Sequence, residues 1–177
     1  WLYDVWTDEQ RRIIRETMIE KGLRAAMNAY EEDVYWTRMH HIYNWGQVTN
    51  GGIALGALAV LDDEPAFASR VLYESVRRLP ASMTHYGPDG GWMEGVHYWD
   101  FATEYTTYVM DALEESFGST FGLTDMPGYS RTGYFPIYMT GPTGRSFNHS
   151  DSRINDVGGP QLFWMAERFG EPAYAWH

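Results

Sequence analysis

The sequence predicts an all-α fold, on three observations. Apolar residues recur at spacings of three and four over long stretches, which gathers them on one helix face. No alternation of apolar and polar residues is sustained long enough to make a strand. The periodic stretches also start and stop at helix punctuation, with Thr7, Pro65 and Pro160 at starts and Gly118 and Gly170 at ends.

The first helix is predicted over 8–31. Thr7 and Gln10 form a capping box, each side chain satisfying a backbone N–H at the helix start. Ile14, Met18, Ile19, Leu23, Ala26, Met27 and Tyr30 then make one apolar stripe. A second helix, 45–61, becomes apolar all round toward its end and is expected to be buried there. Asp62-Asp63-Glu64-Pro65 ends it and opens a third, 65–79, because Pro suits a first helical turn. Phe67, Val71, Leu72, Ser75, Val76 and Leu79 supply its inner face, and Pro80 is expected to stop it. The fourth helix, 97–117, carries Tyr98, Phe101, Ala102, Tyr105, Val109, Ala112 and Leu113 on one side and ends at Gly118. A Gly- and Pro-rich stretch follows, with a short helix at 134–139, and "GPTGRSFNHSDSR" reads as a loop. A last helix runs from Pro160 to Gly170 with Leu162, Phe163, Ala166 and Phe169 inward.

At 177 residues the chain suits one domain, 1–177. Antiparallel helix pairs joined by long aromatic loops point to a functional rim, since bundle connections are normally short. The architecture that combines helix hairpins with such a rim is a partial (α/α) toroid.

The formal charge of −11 argues against nucleic acid, whose binding needs clustered cations. Aromatic residues make up 16% of the chain, with 8 Trp and 13 Tyr. Such a surplus suits surfaces that stack on the apolar faces of pyranose rings, or fills wide gaps between helices. There is no Cys, so neither disulfides nor thiolate metal sites can form. The longest run of apolar and small residues, Gly51 to Leu61, is too short to span a bilayer. The chain opens on Trp1 with no signal-peptide pattern, and is read as an excised or processed segment of a secreted or periplasmic protein.

Three stretches taken together, "HHIYNWGQVTNGGIALGALAV", "PDGGWMEGVHYWDF" and "GPTGRSFNHSDS", resemble the heparinase II/III-like polysaccharide lyases and the related alginate and chondroitin lyases. The resemblance covers roughly residues 35 to 160. It implies an incomplete α/α toroid, followed in the family by antiparallel β-domains absent from this chain, and the rest of a parent chain as a partner. It implies β-elimination on a uronate-containing polysaccharide, with no cofactor. An Asn that holds the substrate carboxylate is matched by Asn44, although Trp45 stands where the family commonly has His. Gly52 matches a close-packing position of the same helix. Asp89, Gly90, Glu94 and Tyr98 match the second pattern, with Tyr98 in the place of the catalytic tyrosine.

The residues themselves suit that chemistry. The C5 proton of a uronate is very weakly acidic, so its carboxylate has to be neutralised before a carbanion can form. A neutral amide such as Asn44 can donate to a carboxylate oxygen and gain strength as charge develops. A phenol such as Tyr98 can act as base, acid or both, and its place at a helix start favours the tyrosinate. Glu94 is suited to orienting Tyr98 or His97, and His97 is a candidate proton shuttle, as are His41, His85 and His149. Trp45, Trp92 and Trp99 are candidate sugar platforms, with His41 and Tyr105 as further substrate contacts. Plainer roles stand beside these: Asn44 as a helix N-cap, Tyr98 packed with Phe101 and Tyr105, and Glu94 in a surface pair. "NHSD" at 148–151 reads as a turn held by polar side chains, and adjacent His40 and His41 face different directions on a helix, so no metal site is expected. Two other functions remain open. One is an inverting glycoside hydrolase using Glu94, Asp100 or Asp89; the other is a non-catalytic carbohydrate-binding module.

Overall fold

The computed structural model describes residues 3–37, 43–154 and 158–176. Among these the chain is all-α, with no strand and a single isolated bridge between Thr140 and Ser146.

The helix predicted from residue 8 begins as expected. Thr7 Oγ1 accepts from the Gln10 N–H at 3.2 Å, and Gln10 Oε1 accepts from the Thr7 N–H at 2.9 Å. It runs as α1 (Asp8–Thr17), a π-helical segment (Met18–Leu23) and α2 (Arg24–Glu31). The π turn corrects the single stripe. Widening the helix rotates the downstream face against the upstream one, so apolar positions counted at 3.6 residues per turn fall out of line. Ile19, Leu23, Ala26, Met27 and Tyr30 are buried, whereas α1 buries nothing and Ile14 stays exposed.

Helix α3 (Asn44–Ala59) is the centre of the fold, packed by α6, α4, α5 and the π-helical segment. Its small residues permit this crowding. A Cβ on Gly51 would lie 3.3 Å from Tyr105 Cβ, and one on Gly56 3.3 Å from a Leu23 methyl. Gly51 is thus the tighter of the adjacent glycines, Gly52 meeting only the edge of the Tyr105 ring at 3.6 Å. Tyr30 Oη donates to Asn50 Oδ1 at 2.8 Å, tying α2 to α3.

Helix α4 (Pro65–Val76) opens with its proline in the first turn, as expected. Pro80 does not act as a stop. It lies in the first turn of a short α5 (Leu79–Met83), where its missing N–H is no loss. Buried Arg78, at that junction, donates to the Thr37 and Glu74 carbonyls at 3.1 and 2.7 Å and covers the Tyr30 ring at 4.3 Å, stitching α2 to α4. Helix α6 (Val96–Phe117) ends at Gly118 with φ of 67°, the left-handed cap expected there. Helices α7 (Tyr134–Met139) and α8 (Gln161–Phe169) close the chain, α8 ending at Gly170. Trp99, Tyr86, Tyr129, Met110, Leu113 and Met165 are fully buried where these elements meet α6.

Candidate functional site

The three stretches singled out in the sequence meet at one end of the helices. Glu94, in the loop before α6, accepts from the Asn44 backbone N–H with Oε2 at 2.7 Å and from Asn44 Nδ2 with Oε1 at 2.9 Å. Its carboxylate therefore closes the first turn of α3, where unpaired N–H groups and the positive end of the helix dipole favour an anion. Asn44 is not the N-cap. Tyr43 holds that position with extended backbone, and Asn44 is the first helical residue, buried against Glu94. An asparagine amide has two N–H donors, and one is committed to Glu94.

The third stretch completes the corner. Ser152 Oγ accepts from the His97 backbone N–H at 3.0 Å, capping α6 from a distant loop. A Cβ on Gly95 would lie 2.3 Å from both His149 O and Ser152 Oγ, and Gly95 has φ of 82°, so only glycine allows this approach. Around residues 148–151 the turn is held by backbone bonds, His149 N–H to Phe147 O and Ser152 N–H to His149 O, with Ser150 at a φ of 56°.

Helices α3 and α6 run in the same sense, because Asn44 and Glu94 join their starts while Gly51 faces Tyr105 further along. Tyr98 lies seven residues before Tyr105, two turns back on the same face, as Asn44 lies seven before Gly51. This register carries Tyr98 to the Asn44 end. It is half-buried, with the His97 ring edge-on at 5.2 Å. Among the remaining candidates, Trp45 is 48% exposed at the start of α3, its ring 6.4 Å from that of Tyr35. Tyr105 is wedged half-buried between α3 and α6, edge-on to Phe101 at 5.4 Å. His41 lies outside the described residues. His85 closes a single turn of 3-10 helix, Thr84–Tyr86.

Two candidates are corrected. Trp99 is 0% exposed, its indole N–H donating to Thr132 Oγ1 at 2.7 Å, and Trp92 is 3% exposed, its ring 4.9 Å from that of Tyr86. Neither offers a face to a sugar. Both are core residues because the Asp-Gly-Gly loop folds back onto the chain: Thr132 Oγ1 donates to Gly90 O at 2.5 Å, and a Cβ on Gly90 would lie 2.6 Å from the Thr132 backbone. The sequence shows the aromatic residues of this loop but not which way it turns. Ser152, which sets the start of α6, sat in a quoted stretch without a role of its own; a serine that caps a helix 55 residues away leaves no local signal.

The acids are each engaged separately. Asp89 Oδ1 accepts from the Gly91 N–H at 3.1 Å, as turn chemistry predicts, and Asp100 Oδ1 accepts from Gln161 Nε2 at 2.5 Å. Burial raises the Asp100 carboxyl above the usual carboxylate range, against the opposing effect of the Gln161 bond. No group of three or more His, Asp or Glu side chains placed to hold a metal ion occurs among the described residues, nor is any described helix long and apolar enough to cross a membrane.

No family model matches the chain, and no curated protein shows significant sequence similarity to it.

Proposed function

We propose that this protein cleaves a uronate-containing polysaccharide by β-elimination on a partial α/α toroid, in a secreted or periplasmic setting. The observation that carries the reading is the meeting of Asn44, Glu94 and the start of α6 at one end of two parallel helices. Such an arrangement supplies the two groups that elimination needs. Asn44, oriented by Glu94, donates its remaining amide N–H to the uronate carboxylate and stabilises charge that builds as C5 is deprotonated. Tyr98 takes the C5 proton; the electron pair forms the C4–C5 double bond, the C4–O bond breaks, and the departing oxygen is protonated by the same phenol. His97 packs edge-on against Tyr98 and positions its ring. Trp45 offers the exposed stacking face beside them.

The engagement of the acids weighs against an inverting hydrolase. That mechanism needs two carboxyl groups facing each other across room for a water, whereas Glu94, Asp89 and Asp100 are turned to Asn44, Gly91 and Gln161 respectively. A purely binding module would need none of the Asn44–Glu94 geometry.

The test is ultraviolet absorbance of an unsaturated uronate product, screened over alginate, heparan, chondroitin and hyaluronan. Asn44→Ala should lower turnover by roughly 10²–10³-fold, as expected for loss of one oxyanion donor. Tyr98→Phe keeps the ring and removes only the hydroxyl, so activity should collapse at an unchanged melting temperature. A Tyr98→Phe protein that releases unsaturated product at the wild-type rate would remove Tyr98 from the mechanism. Absence of unsaturated product from every uronate polymer would overturn the reading.

A further inference from the structure

On the other side of the Asp-Gly-Gly loop lies a cleft of about 610 Å³, lined by Asp89, Gly90, Arg131, Tyr134 and Tyr138 among others. That volume is in the range of small-molecule sites. Trp92 and Trp99 turn inward from the loop, which leaves Trp45 as the exposed ring on the Asn44 side and the tyrosines of this cleft on the other. Tyr134 and Tyr138, one turn apart on α7, stack at 5.8 Å and 24°, and Tyr138 is 81% exposed. Tyr138 thus leaves a ring face open to solvent beside a concave wall, where a sugar ring can stack on it.

The polar groups narrow the ligand. Arg131 is exposed at the cleft and forms no ion pair with an acid among the described residues, in a chain with 24 acids and 13 Lys and Arg. The neighbouring acids are occupied: Asp89 Oδ1 accepts from Gly91, and Glu171 accepts from the Tyr134 hydroxyl. A planar guanidinium with five donors matches a carboxylate in bidentate fashion. The second oxygen of Asp89 is suited to accept from a sugar hydroxyl. Flat stacking surface, one carboxylate partner and one hydroxyl acceptor together describe a uronate ring.

We propose that this cleft is a second sugar subsite, holding a uronate residue of the same polymer away from the bond that is cut. The inference rests on the polysaccharide reading above but not on its chemistry. One short loop serves both places, Asp89 and Gly90 facing the cleft and Glu94 holding Asn44. A polymer lying along the rim would engage both, and a disaccharide only one.

Calorimetric titration tests this with hexasaccharides of alginate, heparan and chondroitin and their carboxyl-reduced forms, on Tyr98→Phe protein so that the ligand survives. Tyr138→Ala should weaken hexasaccharide binding by about tenfold, the order of one stacking contact. Arg131→Gln should weaken the acidic form similarly and leave the carboxyl-reduced form unaffected. Both side chains are exposed, and circular dichroism of each variant should match the parent. Affinities unchanged within roughly twofold in both variants, or no binding of any hexasaccharide, would overturn the subsite. Unsaturated product formed by a protein indifferent to both substitutions would sink the subsite and leave the lyase reading standing. Binding that responds to both substitutions in a protein that forms no unsaturated product would do the reverse.

Discussion

At Glu94 a single side chain does two jobs: it closes the first turn of α3 and fixes the rotamer of Asn44. The sequence pattern suited it to orienting Tyr98 or His97; the structure turns it to Asn44 instead. Because both of its oxygens accept from buried donors, its loss leaves two N–H groups without partners. Glu94→Ala should therefore cost about 2–3 kcal/mol, the range for hydrogen bonds to a charged group. Glu94→Gln should be nearly as costly, since its NH₂ would be set against an N–H donor. Urea denaturation of the two variants measures this, and a Glu94→Gln protein as stable as the wild type would show that the carboxylate is not what holds α3. The same reasoning separates the tryptophans. Trp45 keeps an open face, whereas the indole N–H of Trp99 is spent on Thr132 and its ring on the core.

The helices were legible as elements, and their ends were the most legible part. The starts at Thr7 and Pro65 and the ends at Gly118 and Gly170 fall where local chemistry puts them, because caps depend on residues within one turn of each other. What local chemistry does not contain is the tertiary demand on a backbone. Gly118 and Gly128 both have positive φ, of 67° and 81°. A Cβ at Gly118 would meet nothing within 4 Å, while one at Gly128 would lie 1.9 Å from Tyr86 O. Gly118→Ala should thus cost only the left-handed backbone penalty, about 1–2 kcal/mol. Gly128→Ala adds a backbone clash and should cost roughly 4 kcal/mol or more, in the range reserved for severe lesions. Thermal melts distinguish them, and equal losses would mean that the 128 turn can move aside. The π segment at Met18–Leu23 belongs to the same class. Nothing local to those residues announces it, and it alone decides that the stripe through Ile14 does not continue into the core.

Across the whole molecule, α6 links the central α3 to the C-terminal part of the chain. It meets α3 through Gly51, the third motif through Ser152, and α8 through the bond from Gln161 to Asp100. That last contact gives stability a pH dependence. Asp100 has a folded-state pKa raised by burial, so the advantage it lends the fold is complete below the ordinary carboxyl pKa and is lost as pH rises through the raised value. Above the raised value, the charge on this half-buried carboxylate is a burden. Asp100→Asn keeps an acceptor for Gln161 and removes the charge, so it should raise the melting temperature at pH 7, with the difference shrinking as the pH is lowered. A variant less stable than the wild type at neutral pH would show that the ionised form is the one the fold prefers. Glu74 works in the other direction. Burial pushes its carboxyl up, but the hydrogen bonds and charges of Arg78 and Arg77 together outweigh this and hold it below its ordinary value, so its contribution is present above that value and fades as pH falls.

By itself the sequence determined the all-α class, most of the helix starts and glycine-capped ends, and the three stretches whose convergence makes the corner at Asn44. Those features rest on residue spacing and on caps, which are short-range properties of a chain. Tertiary structure alone decided that Glu94 serves Asn44 rather than Tyr98, that Trp92 and Trp99 face inward, that α1 leaves its stripe exposed, and that Arg131, Tyr134 and Tyr138 share a cleft with Asp89. Apart from the α1 stripe, which the π segment turns away from the core, each of these depends on which way a loop folds across a neighbouring helix. That direction is chosen by contacts 40 to 55 residues apart, such as Thr132 to Gly90 and His97 to Ser152, and no local pattern in the chain encodes it.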